Sequence, residues 1–139
     1  MPFVVDTSVV ACWLLPDERH PTAAAAYKRI AADPAIAPAL MWFELRNLLI
    51  VNERRGRLDP AKTAQALRLV RALPVTTDAD VEEDALMRLA RTRRLTVYDA
   101  SYLELALRRG LPLATLDAAL ASAARAEAVP LIDPGAELP

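Results

Sequence analysis

The chain has 139 residues, of which 54% are hydrophobic and 25% are charged, a composition that fits one compact domain with a single core. Its formal net charge is -1, from 17 basic and 18 acidic residues, which argues against a protein that binds duplex DNA through many phosphates. No apolar run approaches the roughly 18 residues of a membrane span, and the N-terminus lacks the basic start of a signal peptide. We therefore expect a cytoplasmic protein with one domain over residues 1–133 and a loose tail at 134–139.

The predicted elements alternate short apolar strands with longer helices. The first strand covers residues 2–6, a β-branched run that ends at a carboxylate, and further strands are expected at 36–39, 75–77, 113–116 and 129–132. Helices are expected at residues 9–15, 21–32, 41–55, 61–73, 80–93, 100–109 and 118–126. This alternation predicts an α/β fold whose parallel sheet is covered by helices on both faces, with the functional residues at the carboxyl ends of the strands.

Local signals mark several helix ends. Asp59 precedes a proline and is expected to cap the helix that follows. Asp80, with Glu83 three residues later, forms a predicted capping box. Gly56 and Gly110 are expected to end the helices before them.

Hydrophobic patterning directs four of the acids toward the interior. Asp6 ends the first strand, and Glu44 lies on the apolar stripe of its helix, three residues after Met41. Asp99 and Asp117 each stand ahead of the apolar stripe of the next helix. A helix N-cap is the alternative explanation for these last two acids.

Other acids have ordinary surface explanations. Asp84 and Arg88, like Glu104 and Arg108, are four residues apart, a spacing that favours ion pairs on an exposed helix face. Glu83 opens a helix, where a negative charge is favourable. None of these acids is predicted to belong to a functional site.

Four inward carboxylates repel one another unless protons or a cation lie among them. His20 is the only histidine and Cys12 the only cysteine, so a zinc site built from nitrogen and sulfur ligands does not fit. An all-oxygen set of ligands points to magnesium or manganese. We expect Cys12 to pack in the core and His20 to lie in an exposed loop.

The motifs and their order resemble those of the PIN-domain family. Residues 4–11 (VVDTSVVA) and 13–16 (WLLP) are similar to the opening of a PIN domain. The segments 43–45 (FEL), 96–106 (TVYDASYLELA) and 113–117 (LATLD) are similar to its second, third and fourth acidic motifs. The likeness spans essentially the whole chain, and the third motif most resembles the VapC toxins of bacterial toxin-antitoxin pairs.

The resemblance implies an α/β fold around a five-stranded parallel sheet, a metal-dependent endoribonuclease activity, a homodimer, and inhibition by a small antitoxin protein. It places four acids at the family's acidic positions, Asp6, Glu44, Asp99 and Asp117, and two hydroxyls, Ser8 and Thr115, at positions that support the metal shell. Bound magnesium or manganese activates a water for RNA cleavage. Asp117 is the candidate to orient that water, and the predicted helices 41–55 and 61–73 are candidates for the dimer interface.

Three arginine clusters, within residues 54–57, 91–94 and 108–109, are candidates for contact with the RNA backbone. Two of them end helices, where complementing the helix dipole explains them equally well. RNA contact therefore stays one of two interpretations for these clusters.

Two other classes of protein compete with a nuclease. A phosphatase or receiver domain that forms an aspartyl phosphate needs a lysine late in the chain, and none follows Lys62. A catalytically silent PIN-like binding module is the stronger rival, although such a module has no need of four inward acids.

Overall fold

The computed structural model describes residues 1–134, and a four-stranded parallel sheet forms its centre. The strands are β1 (Phe3–Val5), β2 (Ala35–Pro38), β3 (Val75–Asp78) and β4 (Leu113–Ala114), in the spatial order β3-β2-β1-β4. In the central strand, Val4 is in register with Ile36 on one side and Leu113 on the other. All three residues of β1 are fully buried, as an uninterrupted apolar run requires of a strand covered on both faces.

The predicted fifth strand at residues 129–132 is wrong, because only one bridge joins this segment to the sheet. Leu131 pairs with Leu113 in a parallel bridge next to β4. The Leu113 N–H donates to the carbonyl of Pro130 at 2.9 Å, and the Ile132 N–H donates back to Leu113 at 2.9 Å. Pro130 has no N–H to extend this pairing, so the described sheet has four strands rather than five.

Seven helices surround the sheet within the described residues: α1 (Thr7–Leu14), α2 (Pro21–Arg29), α3 (Met41–Arg54), α4 (Pro60–Ala72), α5 (Glu83–Arg93), α6 (Val97–Arg109) and α7 (Ala118–Ala126). α1 packs against α2, α3 and α4, which form one group. α6 packs against β1, β2 and β4 and contacts both α5 and α7. The sheet and these two groups of helices give the α/β architecture that the alternation predicts.

Several helix ends follow their predicted local signals. Asp59 caps α4 by accepting a hydrogen bond from the Lys62 N–H at 2.8 Å. Gly56 and Gly110 follow α3 and α6 with φ of +73° and +65°, the left-handed conformation that glycine adopts without strain. These ends are fixed by local chemistry, and the sequence predicts them within a residue.

The predicted capping box of α5 is wrong. α5 begins at Glu83, and its N-cap residue Glu82 makes no side-chain capping bond. Asp80 instead donates its N–H to the Asp78 carboxylate at 2.8 Å, while the Glu82 N–H donates to Glu104 of α6 at 3.0 Å. A tertiary contact from α6 therefore takes the place of the local cap.

Cys12 is buried in the core, as expected. His20 is exposed and precedes α2, where its Nδ1 accepts a hydrogen bond from the Thr22 N–H at 3.1 Å. Across residues 1–134 no helix is both long enough and apolar enough to cross a membrane. The predicted tail, apart from Pro134, lies outside the described residues.

Candidate active site

One pocket at the carboxyl edge of the sheet is lined by all four of the predicted site acids. Asp6 follows β1, and Asp117 follows the turn after β4. Glu44 comes from the first turn of α3, and Asp99 comes from the first turn of α6. The chain connects β1 to β2 on one side and crosses to β4 on the other, so the pocket lies at the switch point where parallel sheets bind ligands.

Asp6 is the most enclosed of these acids, with 5% of its surface exposed. Its carboxylate accepts hydrogen bonds from the Ser8 hydroxyl at 2.5 Å, the Val9 N–H at 3.1 Å, and the Thr115 hydroxyl. These bonds favour the charged form, but burial outweighs them and raises the pKa of Asp6 to about 6. Asp6 therefore combines a fixed orientation with a destabilised negative charge.

Ser8 and Thr115 connect Asp6 to the turn that carries Asp117. The Ser8 hydroxyl accepts the Leu116 N–H at 3.0 Å, and the Thr115 hydroxyl accepts the Asp117 N–H at 3.0 Å. Each hydroxyl thus donates to Asp6 and accepts from the backbone of this turn. The arrangement fixes the Asp6 carboxylate relative to the Asp117 backbone.

Two hydroxyls hold Glu44. The Tyr102 hydroxyl donates to Glu44 Oε1 at 2.6 Å, and the Thr7 hydroxyl donates to the same oxygen at 3.1 Å. The two hydroxyl oxygens are themselves 2.7 Å apart, and because Tyr102 donates its one hydrogen to Glu44, the Thr7 hydrogen is shared between the Tyr102 oxygen and Glu44 Oε1. Neither Thr7 nor Tyr102 was predicted as a site residue, although Tyr102 lies three residues after Asp99 and thus on a neighbouring helix position.

The burial of Glu44 differs from the prediction. The fully buried stripe of α3 contains Met41, Leu45 and Leu49. Glu44 and Leu48 lie at the margin of this stripe, where they are half-buried and line the pocket. The acid therefore faces the pocket rather than the core.

Asp99 and Asp117 are the more accessible acids. Asp99 is half-buried, and the N-cap of its helix is Thr96, whose hydroxyl accepts the Asp99 N–H at 3.0 Å. Asp117 is exposed and caps α7 by accepting the Leu120 N–H at 2.9 Å. The expectation that Asp117 points inward is wrong, and the N-cap alternative holds for Asp117 but not for Asp99.

The charges of the acids act on one another. Burial, followed by the charges of Asp117 and Glu44, raises the pKa of Asp99. The charge of Asp117 also adds, as the smallest contribution, to the raised pKa of Asp6. This shared repulsion is the property that a bound cation relieves.

The side chains that line the pocket are chemically suited to binding a hard cation. They include five carboxylates, the four predicted acids and Glu18, which pairs with Arg57, and among the described residues that line the pocket there is no histidine or cysteine. In the part of the chain that the structure describes, no three His, Cys, Asp or Glu side chains already converge as a metal-binding group. The acids thus line one pocket without forming a closed set of ligands, and the oxygen donors are those that magnesium and manganese prefer.

The same pocket runs along α3 to a basic end. Arg55 and Arg57 line it there and are exposed. Arg57 forms an ion pair with Glu18 at 3.6 Å. Asn52 also lines this part, is 6% exposed, and has a side-chain Oδ1 without a hydrogen-bond partner in the described structure.

In the second arginine cluster, at residues 91–94, Arg93 is bound elsewhere. Arg88 Nη2 donates to the Glu127 carboxylate at 2.9 Å, and Arg93 Nε donates to the same carboxylate at 2.8 Å. The predicted pairing of Arg88 with Asp84 is replaced by this contact. None of these side chains lines the acidic pocket.

The third cluster is also bound elsewhere. Arg108 Nε donates to Glu104 at 2.7 Å, and Arg109 pairs with Asp78 at 3.1 Å. The predicted pairing of Glu104 with Arg108 is confirmed. The predicted exposure of Glu104 is wrong, because only 2% of the residue is exposed. Its position between two leucines of an apolar helix was the available signal.

The fold and the pocket together define a class: a small α/β protein with a carboxylate site at the switch point of a parallel sheet. The model of the PIN-domain family matches residues 3–126, and this chain belongs to the PIN-domain family. The chain is 36% identical over 125 residues to Ribonuclease VapC3 of Pyrobaculum aerophilum, and the match covers 87% of this chain and 93% of that protein. These two matches confirm the family and the VapC group that the sequence motifs resemble.

Solved structures agree with this assignment. The crystal structure of PAE2754 from Pyrobaculum aerophilum matches with a TM-score of 0.71 and 30% identity, covering 88% of this chain and 84% of the other. Mycobacterium tuberculosis VapC20, described as a toxin that cleaves the sarcin-ricin loop, matches with a TM-score of 0.60 and 21% identity, covering 87% and 94% of the two chains. The second likeness is evidence for the fold alone.

Proposed function

We propose that this protein is a metal-dependent endoribonuclease and the toxin of a VapC-type toxin-antitoxin pair. The observation that carries the proposal is the pocket itself, in which the four predicted acids, from four separate elements of a PIN domain, line one space. The similarity to a protein named Ribonuclease VapC3 supports RNA as the substrate.

In this proposal Asp6, Glu44, Asp99 and Asp117 hold magnesium or manganese. The bound ion supplies an activated water and stabilises charge that develops on the phosphate. Asp6 is oriented for this role by Ser8 and Thr115. Asp117 is exposed at the mouth of the pocket, and we assign to it the orientation of the attacking water.

The basic end of the pocket holds the RNA backbone. Arg55 lies eleven residues after Glu44 on the same helix and its C-cap, a distance of about 16 Å along the axis. The arginines therefore reach a phosphate a few nucleotides from the one at the acids. The Glu18–Arg57 pair is about two-fifths exposed on both sides, and such pairs are weak enough to exchange for a phosphate.

We further propose that the protein is a cytoplasmic homodimer whose antitoxin covers the acidic pocket. The candidate interface helices α3 and α4 expose large apolar side chains. Phe43 is 73%, Ile50 39% and Leu69 50% exposed. Phe43 and Ile50 are seven residues apart and share one face of α3, which supports this face as a subunit contact.

One experiment separates this nuclease from a silent binding module. Purified wild type and Asp99→Asn are incubated with structured RNA in magnesium or manganese, with circular dichroism as the control for folding. Asparagine keeps the size of aspartate but removes the charge that a hard cation needs. We expect cleavage to fall roughly a hundredfold or more, the scale for groups that stabilise developing charge. Equal cleavage by both proteins contradicts the site, and no cleavage by either favours the binding module.

A further inference from the structure

We propose that Tyr102 and Thr7 are positioning residues that hold Glu44 for metal binding, an inference that rests on the proposed function. Both hydroxyls donate to the same carboxylate oxygen, Oε1, at 2.6 and 3.1 Å. The three side chains come from α6, α1 and α3. Residues far apart in the sequence therefore converge on one atom of one acid.

The burial of Tyr102 makes this contact rigid. Tyr102 is 1% exposed, so its ring is fixed by core packing while its hydroxyl reaches the pocket. The phenol hydroxyl is held as a hydrogen-bond donor to the Glu44 carboxylate.

The contact divides the two oxygens of Glu44 between two tasks. Oε1 accepts both hydroxyls, whereas no side chain of residues 1–134 is found to donate to Oε2. Hydrogen bonds from a fixed donor orient a carboxylate and reduce the entropy that it loses on binding a cation. Oε2 is the oxygen left for the metal ion.

Asp99 shares α6 with Tyr102, three residues earlier. One helix thus supplies one proposed ligand directly and orients a second one from α3. A shift of α6 would therefore move Asp99 directly and Glu44 through the Tyr102 hydroxyl.

The test measures binding of Mn²⁺ alone, without RNA, by electron paramagnetic resonance of the free ion. Tyr102→Phe removes only the hydroxyl, and we expect Mn²⁺ affinity to fall about tenfold, the lower end for residues that orient metal ligands. Tyr98→Phe is the matched control, because Tyr98 lies four residues earlier and is 62% exposed. Tyr98→Phe should bind Mn²⁺ with the same affinity as wild type.

Thr7 gives an independent test from α1. Thr7→Val should weaken Mn²⁺ binding, and Thr7→Ser, which keeps the hydroxyl, should restore it. If Tyr102→Phe fails to fold, Thr7→Val and Thr7→Ser still test whether the hydroxyls that hold Glu44 are needed for Mn²⁺ binding. In a Glu44→Gln background, Tyr102→Phe should cause no further loss, because its effect passes through Glu44.

The outcomes separate the two proposals. If wild type does not bind Mn²⁺ at millimolar concentration, the metal site is wrong and this inference falls with it. If wild type binds and folded Tyr102→Phe and Thr7→Val bind equally well, the inference alone is overturned. An equal loss from Tyr102→Phe with and without Glu44→Gln would show that Tyr102 acts through packing instead.

Discussion

The Thr115 hydroxyl donates to the Asp6 carboxylate across 109 residues of sequence. The contact is possible because β1 and β4 are parallel neighbours, with Val5 in register with Ala114. Asp6 and Thr115 each follow the end of their strand, so both side chains reach the same edge. The hydrogen bond fixes the most buried acid of the pocket to the turn that leads to Asp117.

Metal should stabilise the folded protein, because ions that bind the acids only in the folded state raise stability by mass action. We expect millimolar Mn²⁺ or Mg²⁺ to raise the melting temperature in differential scanning fluorimetry, and EDTA to reverse the change. Asp6→Ala should show a smaller metal response while losing little stability without metal, since it also removes a buried charge. A wild type that shows no shift would contradict the four-acid site.

The raised pKa of Asp6 predicts that the stability of the metal-free protein depends on pH. The folded pKa is about 6 against an ordinary 3.8, so the contribution of Asp6 to stability is complete below pH 3.8 and is lost as pH rises through 6. The shift corresponds to about 3 kcal/mol. The free energy of unfolding is measured by urea titration in EDTA for wild type and Asp6→Asn. From pH 3 to pH 8, the value for Asp6→Asn should rise relative to that for wild type by about this amount. A constant difference would show that burial does not penalise the Asp6 charge.

The contribution of Glu127 to stability should depend on pH in the opposite direction. Hydrogen bonds from Arg88 and Arg93 lower the pKa of Glu127 below its ordinary 4.5, so its contribution is present above pH 4.5 and is lost as pH falls through the lower folded value. Glu127→Gln should cost about 1–3 kcal/mol at pH 7, and the cost should shrink in acid. Asp17→Asn, at an exposed position in the turn after α1, is the control and should show neither effect.

The sequence predicts the elements of this fold better than their contacts. Strand and helix positions follow from hydrophobic period, and Asp59 or Gly110 act through neighbours a few residues away. The cap of α5 was mispredicted because Glu104, 22 residues beyond Glu82, supplies the bond. A fifth strand was wrongly predicted at residues 129–132, because an apolar run does not show that Pro130 lacks the N–H needed to extend the pairing with β4.

The same distinction applies to the site. Asp6 and Asp99 could be picked out because an acid beside an apolar stripe conflicts with the pattern around it. Tyr102 and Thr7 could not, because a hydroxyl among apolar residues fits ordinary packing. Their meeting at Glu44 depends on how α1, α3 and α6 pack together, which periodicity within one helix does not specify.

The exposed face of α3 predicts the mode of assembly. Phe43→Glu places a charge on the most exposed large apolar residue of this helix, and burying that charge in a subunit contact is costly. We expect wild type to be a dimer at micromolar concentration by light scattering and Phe43→Glu to be a monomer. Val81→Glu, at an apolar residue that is 51% exposed outside α3 and α4, should remain dimeric. A monomeric wild type would contradict the proposed homodimer.

Removal of the arginines at the basic end of the pocket should weaken RNA binding more than it slows the chemical step. Arg55 and Arg57 line the pocket that holds the acids, whereas Arg91 does not. Contacts to phosphates release counterions, so each lost contact also reduces the dependence of binding on salt. For Arg55→Gln combined with Arg57→Gln we expect a raised KM, a largely unchanged kcat, and a slope of log affinity against log salt that is smaller by about 2.

Arg91→Gln is the matched control for this experiment, because Arg91 is an exposed arginine that does not line the pocket. It should leave KM and the salt slope unchanged. The affinity is measured by fluorescence anisotropy of a labelled single-stranded RNA, in calcium to suppress cleavage, at several salt concentrations. If Arg91→Gln and the double variant reduce the slope by similar amounts per charge, then RNA is attracted by overall charge and not by the basic end of the pocket. A fall in kcat with unchanged KM would instead place these arginines at the scissile phosphate, and the distance of about 16 Å along α3 from Glu44 argues against that position.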